Sequence, residues 1–242
     1  MRHATPNSTL IWDRFVRALQ SRQVKSICGM RDALVSSRTQ LINNLRGWLR
    51  GQGNRIRSGW SASFTQRARE IDKLPDYVES QLVAIDALST EIAKADRHIQ
   101  ACAEANPVCI RLMTVPGVGP QIALRFVAAA DEIGRFRDAH RLESYFGLVP
   151  GEKSSSDMQQ RLSITKAGST AMRWLLVQAA WSVRVRCRSE HARPLQCWAL
   201  EIEKRRGKRI ATVALARKLA GILFSIWRDG TTYDCTRVST MR

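Results

Sequence analysis

Two stretches of this 242-residue chain combine residue types able to handle a phosphodiester. The first is Leu112-Met-Thr-Val-Pro-Gly-Val-Gly-Pro-Gln-Ile-Ala-Leu-Arg-Phe-Val-Ala-Ala-Ala130. It reads as an apolar helix end, a Pro116-Gly117-Val118-Gly119 bend and a new apolar helix, the pattern of a helix-hairpin-helix. Closely spaced glycines let the backbone turn sharply and leave amides unscreened by side chains. Amides at a helix start, with the positive end of the dipole, attract a phosphate. Gly117, Val118 and Gly119 are therefore candidates for gripping a nucleic-acid backbone without reading its bases. The same pattern also fits an ordinary tight turn between two core helices.

The second stretch is the polar segment 151–168, expected as a flexible loop, with Ser154-Ser155-Ser156 beside Lys153, Arg161 and Lys166 and with Arg173 close behind. A serine is a weak nucleophile at its own pKa and needs activation. Attack on a phosphodiester also needs positive charge at the transferring group, which these four cations supply. No histidine lies near; His140 is closest and is separated by a helix. On residue chemistry alone the segment reads as a solvated Ser/Lys loop that touches phosphates. Further basic residues follow at Arg184, Arg186, Arg188 and Arg193, facing Glu190 alone among acids. The densest run is Lys204-Arg205-Arg206-Gly-Lys208-Arg209. A charge run on a helix is usually only a solvated face. Two such runs in the same half as the helix-hairpin-helix favour a composite backbone-binding surface. Trp174, Trp181, Trp198 and Trp227 are spaced like core residues and read as packing rather than base-stacking platforms.

No metal site is expected. Metal-dependent phosphoryl transfer needs converging carboxylates, whereas the aspartates here are scattered. Asp131-Glu132 is the one adjacent acidic pair and reads as capping or solvation. No Walker loop, dinucleotide fingerprint or zincin motif is present. The six cysteines form no C-x-x-C pair, and the nearest cluster, Cys187, His191 and Cys197, lacks a matched partner pair. Reduced, mostly buried thiols are expected.

The elements that must position these residues read as nearly all α, with no convincing alternating strand. The spacing predicts a long helix over 24–49, with Ile27, Met30, Leu34, Leu41 and Trp48 on one stripe and Arg31, Arg38 and Arg46 on other faces. A short helix is expected near 64–71. A second long helix should run from Asp76 to about Ala105, with Ile85, Leu88, Ile92, Ala95, Ile99 and Cys102 as its seam. These two imply an antiparallel helical hairpin or a coiled coil that dimerises. After the helix-hairpin-helix come helices near 141–146, from Ser169 to about Arg186, 194–206 and 209–227. The domain division read from this is a poorly defined segment 1–23, a helical linker 24–106, a C-terminal domain 107–235 containing the helix-hairpin-helix at 112–130, and a tail 236–242.

The net charge of +18, from 39 Lys+Arg against 21 Asp+Glu, repels itself unless a polyanion is bound. Nucleic acid is the expected partner. With no run of 18 apolar residues and no signal-peptide core, a cytoplasmic protein that does not engage a membrane is expected.

Leu112–Ala130, Ile133-Gly-Arg-Phe136, Tyr145-Phe-Gly-Leu-Val-Pro150, Ser155, Ile164-Thr-Lys-Ala-Gly168, Arg173-Trp-Leu-Leu176 and Ala179-Ala180 occur in an order that resembles the C-terminal domain of the insertion-sequence 110/116/902 transposases. Arg31–Leu45 resembles the helical linker of the same proteins, so the similarity spans about 24–234. The resemblance implies DNA transposition and recombination of a mobile element. It implies a nucleophilic serine five residues after the proline of Gly-Leu-x-Pro, here Ser155. It further implies oligomers, formed here through the helical hairpin, and a structured guide RNA. Family members pair this domain with an N-terminal RNase-H-like domain carrying four metal-binding acids. Residues 1–23 show no such module, so a truncated member is expected, inactive alone, with no cofactor of its own and Mg2+ only alongside the acidic domain. Two usual glycines are replaced, by Ser156 and Leu162, which stiffens the loop. Two other readings stay open: a non-catalytic helix-hairpin-helix module that clamps DNA, and an RNA-binding adaptor that dimerises through the coiled coil.

Overall fold

Helix-stopping residues divide the chain where their backbone chemistry requires it. A computed structural model describes the backbone of residues 6–71, 74–155 and 158–238, and side chains from residue 21 to 236 within these except 153–162. The elements are α1 (Pro6–Gly51), α2 (Phe64–Arg69), α3 (Asp76–Glu104), α4 (Pro107–Leu112), α5 (Pro120–Ala130), α6 (Ala139–Tyr145), β1 (Pro150–Ser155), β2 (Met158–Ile164), α7 (Thr170–Val185), α8 (Arg193–Arg206), α9 (Lys208–Asp229) and α10 (Cys235–Val238). The fold is thus mainly helical, as expected. Asn106 caps α4 by accepting from the amides of Val108 and Cys109, and Ser169 caps α7 by accepting from Met172. Both follow the preference of short polar side chains for the N-cap. Gly207 (φ +82) separates α8 from α9, and Gly230 (φ +66) ends α9 in the left-handed region that favours glycine.

Two expectations are corrected at this level. The N-terminal segment 1–23 is helical from Pro6. Proline suits a first helical turn, and no other interrupts α1 before Pro75. The segment expected as a flexible loop is an antiparallel β-hairpin, β1 with β2. β1 carries no apolar alternation, and Gln160 interrupts that of Met158, Leu162 and Ile164 in β2, so periodicity did not reveal the pair.

Contacts divide the chain into two compact units, Ser26–Ala101 and Met1–Lys25 with Cys102–Arg242. In the first, α1 and α3 pack antiparallel. Arg31 Nε donates to Asp96 Oδ1 (2.8 Å), Arg38 Nη1 to Ser89 Oγ (3.3 Å) and Gln81 Nε2 to Asn44 Oδ1 (3.1 Å). The core contains Ile42, Leu45, Leu49, Phe64, Ala68, Val78, Leu82 and Ile85. The stripe on α1 differs from the expected one. Met30 is 70% exposed while Cys28 is buried, and Arg31 and Arg38 lie on the inner face rather than on other faces. Long arginine stems pack along apolar surface while their heads find polar partners, so charge alone misassigned that face.

The second unit is built around α9. Its Leu215, Leu219, Ile222 and Ile226 are buried, as the stripe predicted, and it packs against α4, α6, α7 and α8. By length and composition α9 is also apolar enough to cross a membrane. Here that apolar surface closes a helical core, together with Phe126, Phe146 and Phe224. Asp131, the C-cap residue of α5, accepts a hydrogen bond from Ser21 Oγ.

Candidate nucleic-acid interface

The β-hairpin stands on a crossing of two glycines. Gly147 (φ +68) and Gly168 (φ +72) both need the left-handed region. A Cβ on Gly147 would lie 2.2 Å from the Ala167 carbonyl oxygen, and one on Gly168 would lie 2.0 Å from that of Tyr145. Glycine is therefore required twice, because two backbone segments touch. The crossing is tied by Lys166 N–H to Gly147 O (3.1 Å) and Thr165 N–H to Val149 O (2.9 Å). Leu148 and Val149 bury their side chains beneath it.

Arg173, on the first turn of α7, clamps the same crossing. Its Nη1 donates to the carbonyls of Ala167 (2.6 Å), Gly168 (3.1 Å) and Phe146 (3.2 Å), and its Nη2 to Thr170 Oγ1 (3.1 Å). Arginine can do this because its donors fan out in a rigid plane. Ser155 is the last residue of β1 and pairs with Met158. Residues 156 and 157 between the strands, and the side chains of Lys153, Ser155 and Arg161, lie outside the described residues. Lys166 is exposed at the hairpin base, with φ +56.

The expected glycine bend lies between α4 and α5. Gly117 (φ +79) faces α7; a Cβ there would lie 2.7 Å from Val183 Cγ2 and 2.9 Å from the Ala179 carbonyl oxygen. Val118 is buried, and its N–H donates to Val115 O (3.0 Å). Gly119 is the N-cap residue of α5 with no side-chain cap, and the space where its Cβ would stand is open. Of the three, Gly119 presents backbone to its surroundings.

Lys204, Arg205, Arg206, Lys208 and Arg209 all come together at the α8–α9 corner and are exposed. Among the described residues none of the five is ion-paired with a carboxylate. Lys204, Arg205 and Arg206 lie in the last turn of α8, where cations suit the dipole. Lys208 and Arg209 open α9, whose N-terminus has no side-chain cap and no acid in its first turn. Cations there oppose the helix dipole, so the corner raises a positive potential at an uncapped set of amides.

Several basic residues grouped with this surface on sequence are engaged elsewhere. Arg184 pairs with Glu203 of α8 and donates to Thr212 Oγ1 (2.6 Å). Arg186 lies over the Trp181 ring (4.9 Å). Trp174 and Trp181 are themselves exposed, at 61% and 39%. This corrects their reading as packing residues. They share the outer face of α7, while Met172, Leu175, Leu176, Ala179, Ala180 and Val183 form the inner one.

His140 Nδ1 lies 2.9 Å from Arg217 Nη2 and 3.5 Å from Glu143 Oε2, between α6 and α9. The resemblance implies magnesium only alongside an acidic domain, not at the described residues. Among them no three His, Cys, Asp or Glu side chains are grouped to hold a metal ion. Asp86 and Asp96 each pair with an arginine, as do Glu143 and Glu203.

Residues 109–196, from α4 through the hairpin and α7 into α8, match the family described as transposase IS116/IS110/IS902. The chain is 31% identical over 239 residues to the transposase for insertion sequence element IS1111A of Coxiella burnetii, covering 92% of this chain and 64% of that protein. It is 32% identical over 228 residues to a probable family 20 transposase of Pseudomonas aeruginosa, covering 90% and 67%. It is 27% identical over 159 residues to the insertion element IS110 uncharacterized 43.6 kDa protein of Streptomyces coelicolor, covering 65% and 38%. The chain thus spans less than two thirds of the Coxiella protein's own length. On these matches the chain belongs to the IS116/IS110/IS902 transposase family.

Proposed function

We propose that this chain takes part in DNA transposition by holding the DNA backbone at the α8–α9 corner and carrying Ser155 as a nucleophile. The observation that carries the reading is the corner itself: five exposed cations with no carboxylate partner among the described residues, around the uncapped start of α9. Such an arrangement holds phosphates without reading bases. Support for Ser155 is its position five residues after Pro150, inside the family-matched segment, and at the last residue of β1. In the proposed step its oxygen forms a bond to phosphorus as the scissile phosphate–oxygen bond breaks, leaving a phosphoserine ester and a free hydroxyl end. A structured RNA as guide, self-assembly through the α1–α3 hairpin and action in the cytoplasm belong to the same reading.

Mobility shifts with duplex DNA, branched DNA and a structured RNA test it. The expected result is binding that weakens by about 10²- to 10³-fold between about 50 and about 200 mM salt. A chain that retains no polynucleotide at low salt overturns the reading. Tighter binding of the RNA than of either DNA would replace DNA with RNA as the primary ligand. Ser155→Ala should keep the affinity and lose any adduct that survives denaturing electrophoresis; an adduct formed equally by Ser155→Ala removes the serine from the account. One observation favours a purely binding module as the second reading: Gly119 leaves the start of α5 uncapped beside open space. That reading predicts no adduct with either protein.

A further inference from the structure

A second concentration of positive charge lies in the other unit, outside the family-matched residues. Arg46, Arg50, Arg55, Ile56, Arg57 and Ser58 line a cleft of about 520 Å³ at the end of α1, and among the described residues no carboxylate lines it. Arg46 is half-buried, its guanidinium 5.2 Å from the Phe64 ring centre. Arg50, Arg55 and Arg57 are exposed. The α1 C-terminus accounts for Arg46 and Arg50 in part, since cations suit that end of a helix. It does not account for Arg55 and Arg57, which follow the helix and add charge to an already cationic cleft. Glu79 and Asp86 of α3 are both held by Arg69.

The cleft is built rather than loose. Asn54 N–H donates to Leu49 O (2.8 Å), folding the chain back over the helix end. Arg67 of α2 then holds the following turn by donating to the carbonyls of Arg57 (3.1 Å), Trp60 (2.8 Å) and Ser63 (3.1 Å). Gly59 leaves room for that guanidinium; a Cβ there would lie 1.9 Å from Arg67 Nη1. The turn so held carries Trp60 at 80% exposure.

We propose that this cleft is a second polynucleotide site, taking a backbone phosphodiester of a single-stranded segment while the Trp60 ring stacks on a neighbouring base. Guanidinium forks suit phosphate oxygens. A base can stack on an exposed ring only where it is unpaired, and stacking on aromatic rings beside a cationic groove is the common mode for single strands. The inference rests on the reading that the chain binds a polynucleotide, but assigns a site and a ligand form that the α8–α9 corner does not.

The test uses the full chain and labelled single-stranded RNA, single-stranded DNA and duplex DNA, followed by anisotropy. Arg55→Gln with Arg57→Gln should weaken single-strand binding roughly 10-fold, and Trp60→Ala roughly 5- to 100-fold. Duplex binding and the thermal midpoint should stay unchanged. Ultraviolet crosslinking should recover the strand on the peptide containing Trp60. The RNA and DNA arms show which sugar the cleft prefers. Unchanged single-strand affinity in both variants, with loss on neutralising Lys204, Arg205, Lys208 and Arg209, overturns the inference and leaves the corner intact. Displacement by inorganic phosphate without any strand crosslink also overturns it, as an anion cleft alone. If the unaltered chain binds no polynucleotide, the proposed function falls with it.

Discussion

Arg173 and the Lys204–Arg209 corner carry charge of the same sign and have opposite surroundings. Arg173 has its donors fixed on three carbonyls and a hydroxyl at the base of the β-hairpin. The five cations of the corner are exposed and unmatched by carboxylates among the described residues. Arg173 holds a backbone crossing in place, and its loss acts on the fold first. Lys208 and Arg209 add like charge to a helix start that would be more stable with acids, so the α8 dipole, which suits Lys204, Arg205 and Arg206, does not account for them. Charge count does not separate the two roles; the number of polar partners already at each head group does.

Variants can break or sharpen that contrast. The largest effect is expected on the scaffold. Gly168→Ala forces a Cβ onto the Tyr145 carbonyl at positive φ, and should cost roughly 2–4 kcal/mol in chemical denaturation. A change below about 0.5 kcal/mol would remove the glycine crossing from the account. Arg184→Met leaves Glu203 of a largely buried pair uncompensated and should cost about 3 kcal/mol, against little for any cation of the corner. Arg173→Met should cost about 2 kcal/mol through the carbonyls it leaves unmet. Its folded fraction should bind polynucleotide within about threefold of the unaltered chain, once Arg173's single charge is allowed for.

Smaller effects refine the other side. Lys208→Glu should stabilise α9 by about 0.3–1 kcal/mol while weakening binding, a sign reversal between stability and function that Arg173→Met should not show. Cys109 offers an internal reference away from both regions. Burial, with Cys102 beside it, pushes its thiol up to about 12. The folded chain therefore holds this proton more tightly than the unfolded one. That contribution is complete below about pH 8.5, the ordinary thiol value, and is lost as the pH rises towards about 12. Thermal midpoints across this range should fall on the alkaline side. Alkylation should label exposed Cys197 first and Cys109 only on unfolding.

Much of the helical frame was legible in advance because its signals are local. Asn106-Pro107, Ser169, Gly207 and Gly230 act within one turn of their own position, and α3 and α9 repeat their apolar residues at helical spacing. The hairpin was not legible. β1 carries no apolar alternation and Gln160 breaks that of β2, and the hairpin is held by Gly147 and Gly168, which meet across 21 positions. The inner-face arginines of α1 were missed for the same reason: Asp96 and Ser89 are remote in sequence and near in space. Of the candidate site, the corner was legible as composition, whereas the clamp role of Arg173 and the exposure of Trp174 and Trp181 required the packing of α7. The arginine cleft at the end of α1 left only a weak trace, four arginines without an acid between Arg46 and Arg57.

The most direct measurement is the salt dependence of duplex binding for the unaltered chain and for a variant with Lys204, Arg205, Lys208 and Arg209 all changed to Gln. If the corner holds the backbone, the variant stays folded and its log–log slope falls by about 0.9 for each phosphate it no longer neutralises. A variant that keeps both the affinity and the slope of the unaltered chain would contradict the assignment.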